Sequence, residues 1–318
     1  MKNFRASLLG PFRRFKEIES VYSVLLALKL TPLGKRLQER AAQLGYGLDF
    51  RPNRIVLRKG QREFWFAVRD PAQLWMVMPS LEHLVSRFVF VQQGRREIAD
   101  LRGVQRYKIP GTTDFVRMAG LPEAADLQAG YFAQTKPQAG AVVFDCGAFC
   151  GEISIALARM VGPTGRVYSF EPDTTNRAQL VQNIAEAGLK NVTVVDKGLW
   201  KESTTLSFVS DGDLGSHLSN DSAQGKTVEV PVLSFEDACR LAGAVPSFVK
   251  MDIEGAEVEA VEGSLDFIAQ QRIHFSIASY HSRNGQPTSS LLEPLFRRAG
   301  YRVSSGFPDH QTTWAERV

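Results

Sequence analysis

From Ala141 to the C-terminus, short apolar runs alternate with segments of helical periodicity, and no other feature constrains the fold as much. Strands are expected at Ala141–Asp145, Arg166–Glu171, Val192–Asp196, Phe248–Asp252 and His274–Ser279. Helices are expected at about Ile153–Val161, Thr174–Ala187, Glu257–Phe267 and Ser289–Ala299. Strands alternating with helices are joined by crossovers, so this part of the chain predicts an α/β fold with a doubly wound parallel sheet. Gly300–Val303 and Thr312–Ala315 supply two closing strands.

The N-terminal half follows a different pattern. Apolar residues at Val21, Val24, Leu25, Leu28 and again at Leu37, Ala41, Leu44 recur at helical spacing, with a break at Thr31-Pro32-Leu33-Gly34, which predicts two helices. Ile55-Val56-Leu57 and Phe64-Trp65-Phe66 flank Lys59-Gly60 and predict a hairpin. A further helix is expected around Leu74 to Phe90, then loop and turn from Gly103 to Pro122.

Charge divides at the same place. The first 140 residues hold 23 basic against 12 acidic side chains and the remainder 15 against 22, so a net +4 hides halves of opposite sign. A solvated charged face is the plain reading of the basic half, and contact with a membrane surface or polyanion is the functional one. With 44% hydrophobic and 23% charged residues the composition is that of an ordinary globular protein, and no apolar run reaches the ~20 residues of a membrane span. Cys146, Cys150 and Cys239 lack metal-finger spacing and cannot all pair, which points to free thiols and the cytoplasm.

The chemistry gathers where the expected strands end. The first strand runs into Asp145-Cys146-Gly147-Ala148-Phe149-Cys150-Gly151, a glycine turn opening a helix. Its small residues admit a ligand close to the backbone, while Asp145 disfavours phosphate and suits a cationic amino acid or sulfonium group. The second strand ends in Phe170-Glu171-Pro172, where a carboxylate can accept both hydroxyl hydrogens of a ribose diol. The fourth ends in Lys250-Met251-Asp252-Ile253-Glu254-Gly255-Ala256-Glu257, putting Asp252 and Glu254 on the same rim. Glu257 and Glu259 read as solvated acids at a helix N-terminus. His281, in the exit loop of the fifth strand, is a candidate proton acceptor. His217 lies in an insert between the third and fourth strands that is expected as loop and as a substrate contact.

These motifs, with Asn183 and Asn191-Val192-Thr193-Val194-Val195, resemble the FkbM family of S-adenosylmethionine-dependent methyltransferases from about Tyr131 onward. Family members often carry Asn where this chain has Phe149. The resemblance implies a Rossmann-like methyltransferase sheet at 131–318; it does not extend to residues 1–130, which charge and periodicity predict to be a basic helical domain with a small hairpin. It also implies S-adenosyl-L-methionine as cofactor, held by Asp145, Gly147, Ala148, Phe149, Gly151, Glu171, Pro172, Asp196, Gly198 and Asp252. The implied reaction is O-methylation of a sugar, glycan or natural-product hydroxyl, with N-methylation of an amide or amine, or a non-catalytic cofactor-binding protein, as alternatives. His281 is expected as base, with Asp252 or Glu254 orienting the acceptor. No metal is required; a divalent ion on Asp252 and Glu254 ranks second.

Overall fold

The computed structural model describes residues 32–51, 53–67, 74–75, 77–122, 129–210, 217–218, 226–283, 285–307 and 310–317. The helix expected at Val21–Leu28 lies outside them. The chain forms two compact units, Met1–Lys108 with Arg117–Ala124, and Ile109–Val116 with Ala125–Val318.

In the first unit, helix α1 (Pro32–Gln43) begins at a proline, whose missing N–H is one the first turn leaves unpaired in any case. It buries Leu37 and Ala41 and ends at Gly45, with φ +78 and the Tyr46 N–H on the Ala41 carbonyl. Strands β1 (Gly47–Arg51), β2 (Arg54–Lys59), β3 (Arg62–Phe66), β4 (Val91–Gln93) and β5 (Arg96–Asp100) form one sheet in the order β1-β2-β3-β5-β4. The expected hairpin is the β2–β3 pair, closed from Lys59 to Arg62. The sheet around it is larger than the sequence suggests, because β1 and β4 carry no buried run to betray them. The expected helix around Leu74–Phe90 is broken up, with α2 (Leu81–Leu84) between 3₁₀ turns at Met78–Ser80 and Val85–Arg87. Two short strands, β6 (Gln105–Lys108) and β7 (Phe115–Met118), occupy the stretch expected as loop.

The second unit contains β8 (Val142–Cys146), α3 (Glu152–Val161), β9 (Arg166–Phe170), α4 (Thr174–Glu186) and β10 (Val192–Val195). After β11 (Gly198–Leu199), β12 (Thr204–Ser210), β13 (His217–Leu218) and β14 (Lys226–Leu233) come α5 (Phe235–Ala242) and β15 (Phe248–Met251). It ends with α6 (Glu257–Glu262), α7 (Leu265–Ile268), β16 (His274–Ala278), β17 (Ser282–Arg283), β18 (Gln286–Pro287), α8 (Ser289–Arg298), β19 (Arg302–Gly306) and β20 (Thr312–Glu316). The main sheet runs β10-β9-β8-β15-β16-β20-β19. Its first five strands are parallel, and β20 and β19 join antiparallel. This is a Rossmann-like doubly wound sheet, with all the expected strands in place. Strand order reverses between β8 and β15, the crevice where such sheets bind ligands. Phe144, Phe170, Phe235, Phe275 and Phe296 fill a core on the side of α5 and α8, holding the strand ends rigid beneath the rim.

Two expectations fail locally. The single helix expected over Glu257–Phe267 is split into α6 and α7, the backbone leaving helical dihedrals at Ser264 (φ −121, ψ 20), next to Gly263, where a Cβ would lie 2.1 Å from the Lys201 carbonyl oxygen. Among the described residues, the insert around His217, expected as loop, holds strands: β12 pairs along its length with β14, and β13 joins the free edge of β12. The His217 side chain lies outside the described residues.

Candidate active site

The turn after β8 is fixed by what surrounds it. Gly147 has φ +78, and a Cβ there would lie 1.7 Å from the Asp252 carbonyl oxygen, so only glycine fits. Its N–H and that of Ala148 both reach the Phe170 carbonyl at 3.0 Å, and its own carbonyl accepts from Lys250 Nζ at 2.7 Å. Gly151, at φ +88, begins α3 against Leu180, and the buried Asn183 amide donates to the Cys150 carbonyl at 2.8 Å. Gly147→Ala is therefore expected to cost well over ~1 kcal/mol and to abolish ordered packing of the turn. A variant with wild-type urea midpoint would contradict this placement.

Glu171 lies just past β9, only 6% exposed. Its Oε2 accepts from the Phe149 N–H at 2.7 Å and its Oε1 from the Asp173 N–H at 3.0 Å. A carboxylate oxygen has two acceptor sites, so each retains one. Burial drives the Glu171 carboxyl up to about 7 despite these two donors and the nearby Lys250. Phe149 presents this N–H from a left-handed backbone, φ 47. Gly198 packs with its Cα face toward Pro172, while Asp196 is exposed beside Lys197.

Asp145 is not where the sequence reading expects it. Its carboxylate is 0% exposed and points into the core, where Ser154 Oγ donates to Oδ2 at 2.6 Å and Lys250 Nζ lies 3.2 Å from Oδ1. An apolar strand end leaves no solvent there, so the charge is matched internally and does not face a ligand. Asp145 supports the turn from below.

At the end of β15 the Asp252 N–H bonds the Cys146 carbonyl, and its Oδ2 accepts from Tyr131 at 2.8 Å. Tyr131 Oη also lies 3.2 Å from His310 Nε2. Glu254 is held at φ 57 and is half exposed. His281 Nε2 stands 3.8 Å from Asp252 Oδ1 and 3.7 Å from Glu254 Oε2, with Nδ1 3.4 Å from Glu257 Oε1. Its ring lies against that of Tyr280, tilted by 39°, with centroids 4.4 Å apart. Burial lowers the imidazole's proton affinity, but Glu254, Glu257 and Asp252 together raise it above the ordinary value. The structure thus brings His281, Asp252 and Glu254 together. Their donor atoms fall within 4.8 Å of one another, close enough to surround a cation or the imidazolium itself.

Four participants escaped the sequence reading. Glu257, expected as a solvated acid, is 0% exposed. Tyr131 reaches Asp252 across 121 positions, and no local pattern marks it. Tyr280 sits next to His281 in the sequence and at the rim, 41% exposed, a position that could have been read from the loop. Lys250, inside the quoted motif, is the apolar strand's one cation. The cysteines are free and buried, with Cys150 and Cys239 pushed up to about 12 by burial, so no activated thiol stands near the rim.

Residues 145–303 match the model of the methyltransferase FkbM domain. No curated protein matches the chain. Among solved structures, a methyltransferase FkbM from Methylobacillus flagellatus is 22% identical over 59% of this chain and 47% of that one, with TM-score 0.43. The chain thus spans about half of that relative. A SAM-dependent methyltransferase from Aquifex aeolicus is 17% identical over 57% of this chain and 84% of that one, with TM-score 0.34. Fibrillarin from Aeropyrum pernix, with natively bound S-adenosyl-L-methionine, is 11% identical over 67% and 94%, with TM-score 0.42.

Proposed function

Since the chain belongs to the FkbM family of methyltransferases, we propose that it transfers a methyl group from S-adenosyl-L-methionine to an acceptor hydroxyl on a sugar, glycan or natural product. The observation that carries the reading is the juxtaposition, on one rim, of the Gly147 turn, a buried Glu171 with an acceptor site left on each oxygen, and His281 between two carboxylates. When bound, the cofactor supplies a methyl group already activated on sulfur.

The chain's part is to position and to move one proton. Gly147 and Ala148 let the ligand approach the backbone, and Glu171 takes the ribose hydroxyls. Asp252, with Glu254, gives the rim the negative potential that a sulfonium requires and orients the acceptor hydroxyl. His281 Nε2 takes the hydroxyl proton as the new bond forms.

Glu171→Ala is expected to weaken cofactor binding by about 1–3 kcal/mol, measured by calorimetry. Hydroxyl donors prefer the ionised carboxylate, whose proton affinity is raised to about 7. Affinity should therefore hold above pH 7 and fall below it, by up to about tenfold per pH unit. Glu171→Gln should lose that pH dependence. Unchanged binding in a folded Glu171→Ala protein would remove the ribose from this residue. Labelled cofactor incubated with cell extract, followed by mass analysis, identifies the acceptor; binding without any transferred label would favour a non-catalytic protein.

A further inference from the structure

Glu257 begins α6, where an exposed acid would be unremarkable, yet its side chain is completely buried. Oε1 accepts the N–H groups of Ile253 at 2.9 Å and Gly255 at 3.2 Å, which pins the carboxylate under the loop that follows β15. Burial pushes the Glu257 carboxyl up despite these two donors, so its ionised form depends on a neighbouring cation. Arg283, in β17, is committed to Glu259 and to the Gly255 carbonyl of that loop. His281 Nδ1, 3.4 Å from Oε1, is the remaining candidate, at ion-pair range though longer than a formed hydrogen bond.

We propose that Glu257 is the positioning residue of this site, its buried carboxylate holding the His281 imidazole by Nδ1 so that Nε2 faces the rim between Asp252 and Glu254. The inference rests on the reading of His281 as proton acceptor and adds to it a fixed tautomer: Nδ1 carries the hydrogen toward Glu257, and the Nε2 lone pair meets the acceptor. The surroundings of the ring fit this division. Asp252 ends β15, Glu254 and Glu257 flank the turn at Gly255, Tyr280 covers one ring face, and His310 lies beyond Tyr280. On the solvent side Arg283 is held by Glu259. Glu257 is thus the one acid here that meets Nδ1 rather than Nε2.

Glu257→Gln tests the assignment, since the glutamine carbonyl can still accept from Ile253 and Gly255 while the charge is lost and an amide nitrogen replaces Oε2. Cofactor affinity should be retained while turnover falls roughly 10- to 100-fold, part of the 10² to 10⁴ that a positioned base contributes. Removing the neighbouring negative charge makes the imidazole easier to deprotonate, so the acid limb of the turnover profile should move to lower pH. Nitrogen-15 spectra of His281 in its neutral form should show the Nδ1–H tautomer in the wild type and a mixture with Nε2–H in the variant. The same tautomer and the same acid limb in both proteins would overturn the proposal. Should His281→Ala retain full turnover, the base reading itself falls, and the nitrogen spectra alone then decide whether Glu257 holds the ring.

Discussion

His281→Ala is expected to lower methyl transfer by roughly 10² to 10⁴, the contribution of a positioned general base, with cofactor affinity unchanged. The split follows from geometry. His281 faces Asp252 and Glu254 at the end of β15 and the loop beyond, whereas Glu171, which we propose takes the ribose hydroxyls, follows β9. The wild-type rate should fall in acid, and because the surrounding carboxylates hold the imidazole above its ordinary value, the fall should begin at a pH higher than for an isolated histidine. Chelators should leave the rate unchanged. Full turnover in His281→Ala would transfer the role to Asp252 or Glu254, and activity lost on chelation and restored by magnesium would give those carboxylates to a divalent ion.

The parallel sheet was legible because its strands are short apolar runs, four of the five ending at a carboxylate (Asp145, Glu171, Asp196, Asp252), a signal that survives without any tertiary knowledge. Phe144, Val167, Val249 and Phe275 are all buried, and each lies in a strand expected from pattern alone. The satellite sheet was not read, although Thr204-Thr205-Leu206-Ser207 and Val230-Pro231-Val232-Leu233 lie in strands that pair directly. Mixed polar composition and Pro231 made those runs resemble a loop. For the site, residue types at strand ends were enough to gather His281, Asp252 and Glu254. Direction was not legible: whether Asp145 points to the rim or the core, and whether Glu257 faces water or His281, depends on which neighbour covers it. In the first unit, β1 and β4 are too short and exposed to announce themselves, and only their pairing with β2 and β5 defines them.

Lys250→Met should destabilise the second unit by about 3–5 kcal/mol, the cost of leaving one partner of a buried ion pair alone. Lys250 and Asp145 are both almost fully buried on adjacent parallel strands, and their registers face directly, Lys250 opposite Asp145. With the ammonium removed, Asp145 keeps Ser154 on Oδ2, but Oδ1 accepts no hydrogen bond of its own and loses the charge that offsets its burial. The Gly147 carbonyl loses its 2.7 Å donor in the same substitution, so cofactor affinity should fall together with stability. Pairing it with Asp145→Asn removes the stranded charge, and the double variant should recover much of the stability while the affinity loss, which comes from the Gly147 contact, persists. Urea titrations of the three proteins, with calorimetry on each, separate these effects. A Lys250→Met protein with the wild-type midpoint would mean that the pair is stabilised by groups other than each other, and that the turn does not depend on the ammonium beneath it.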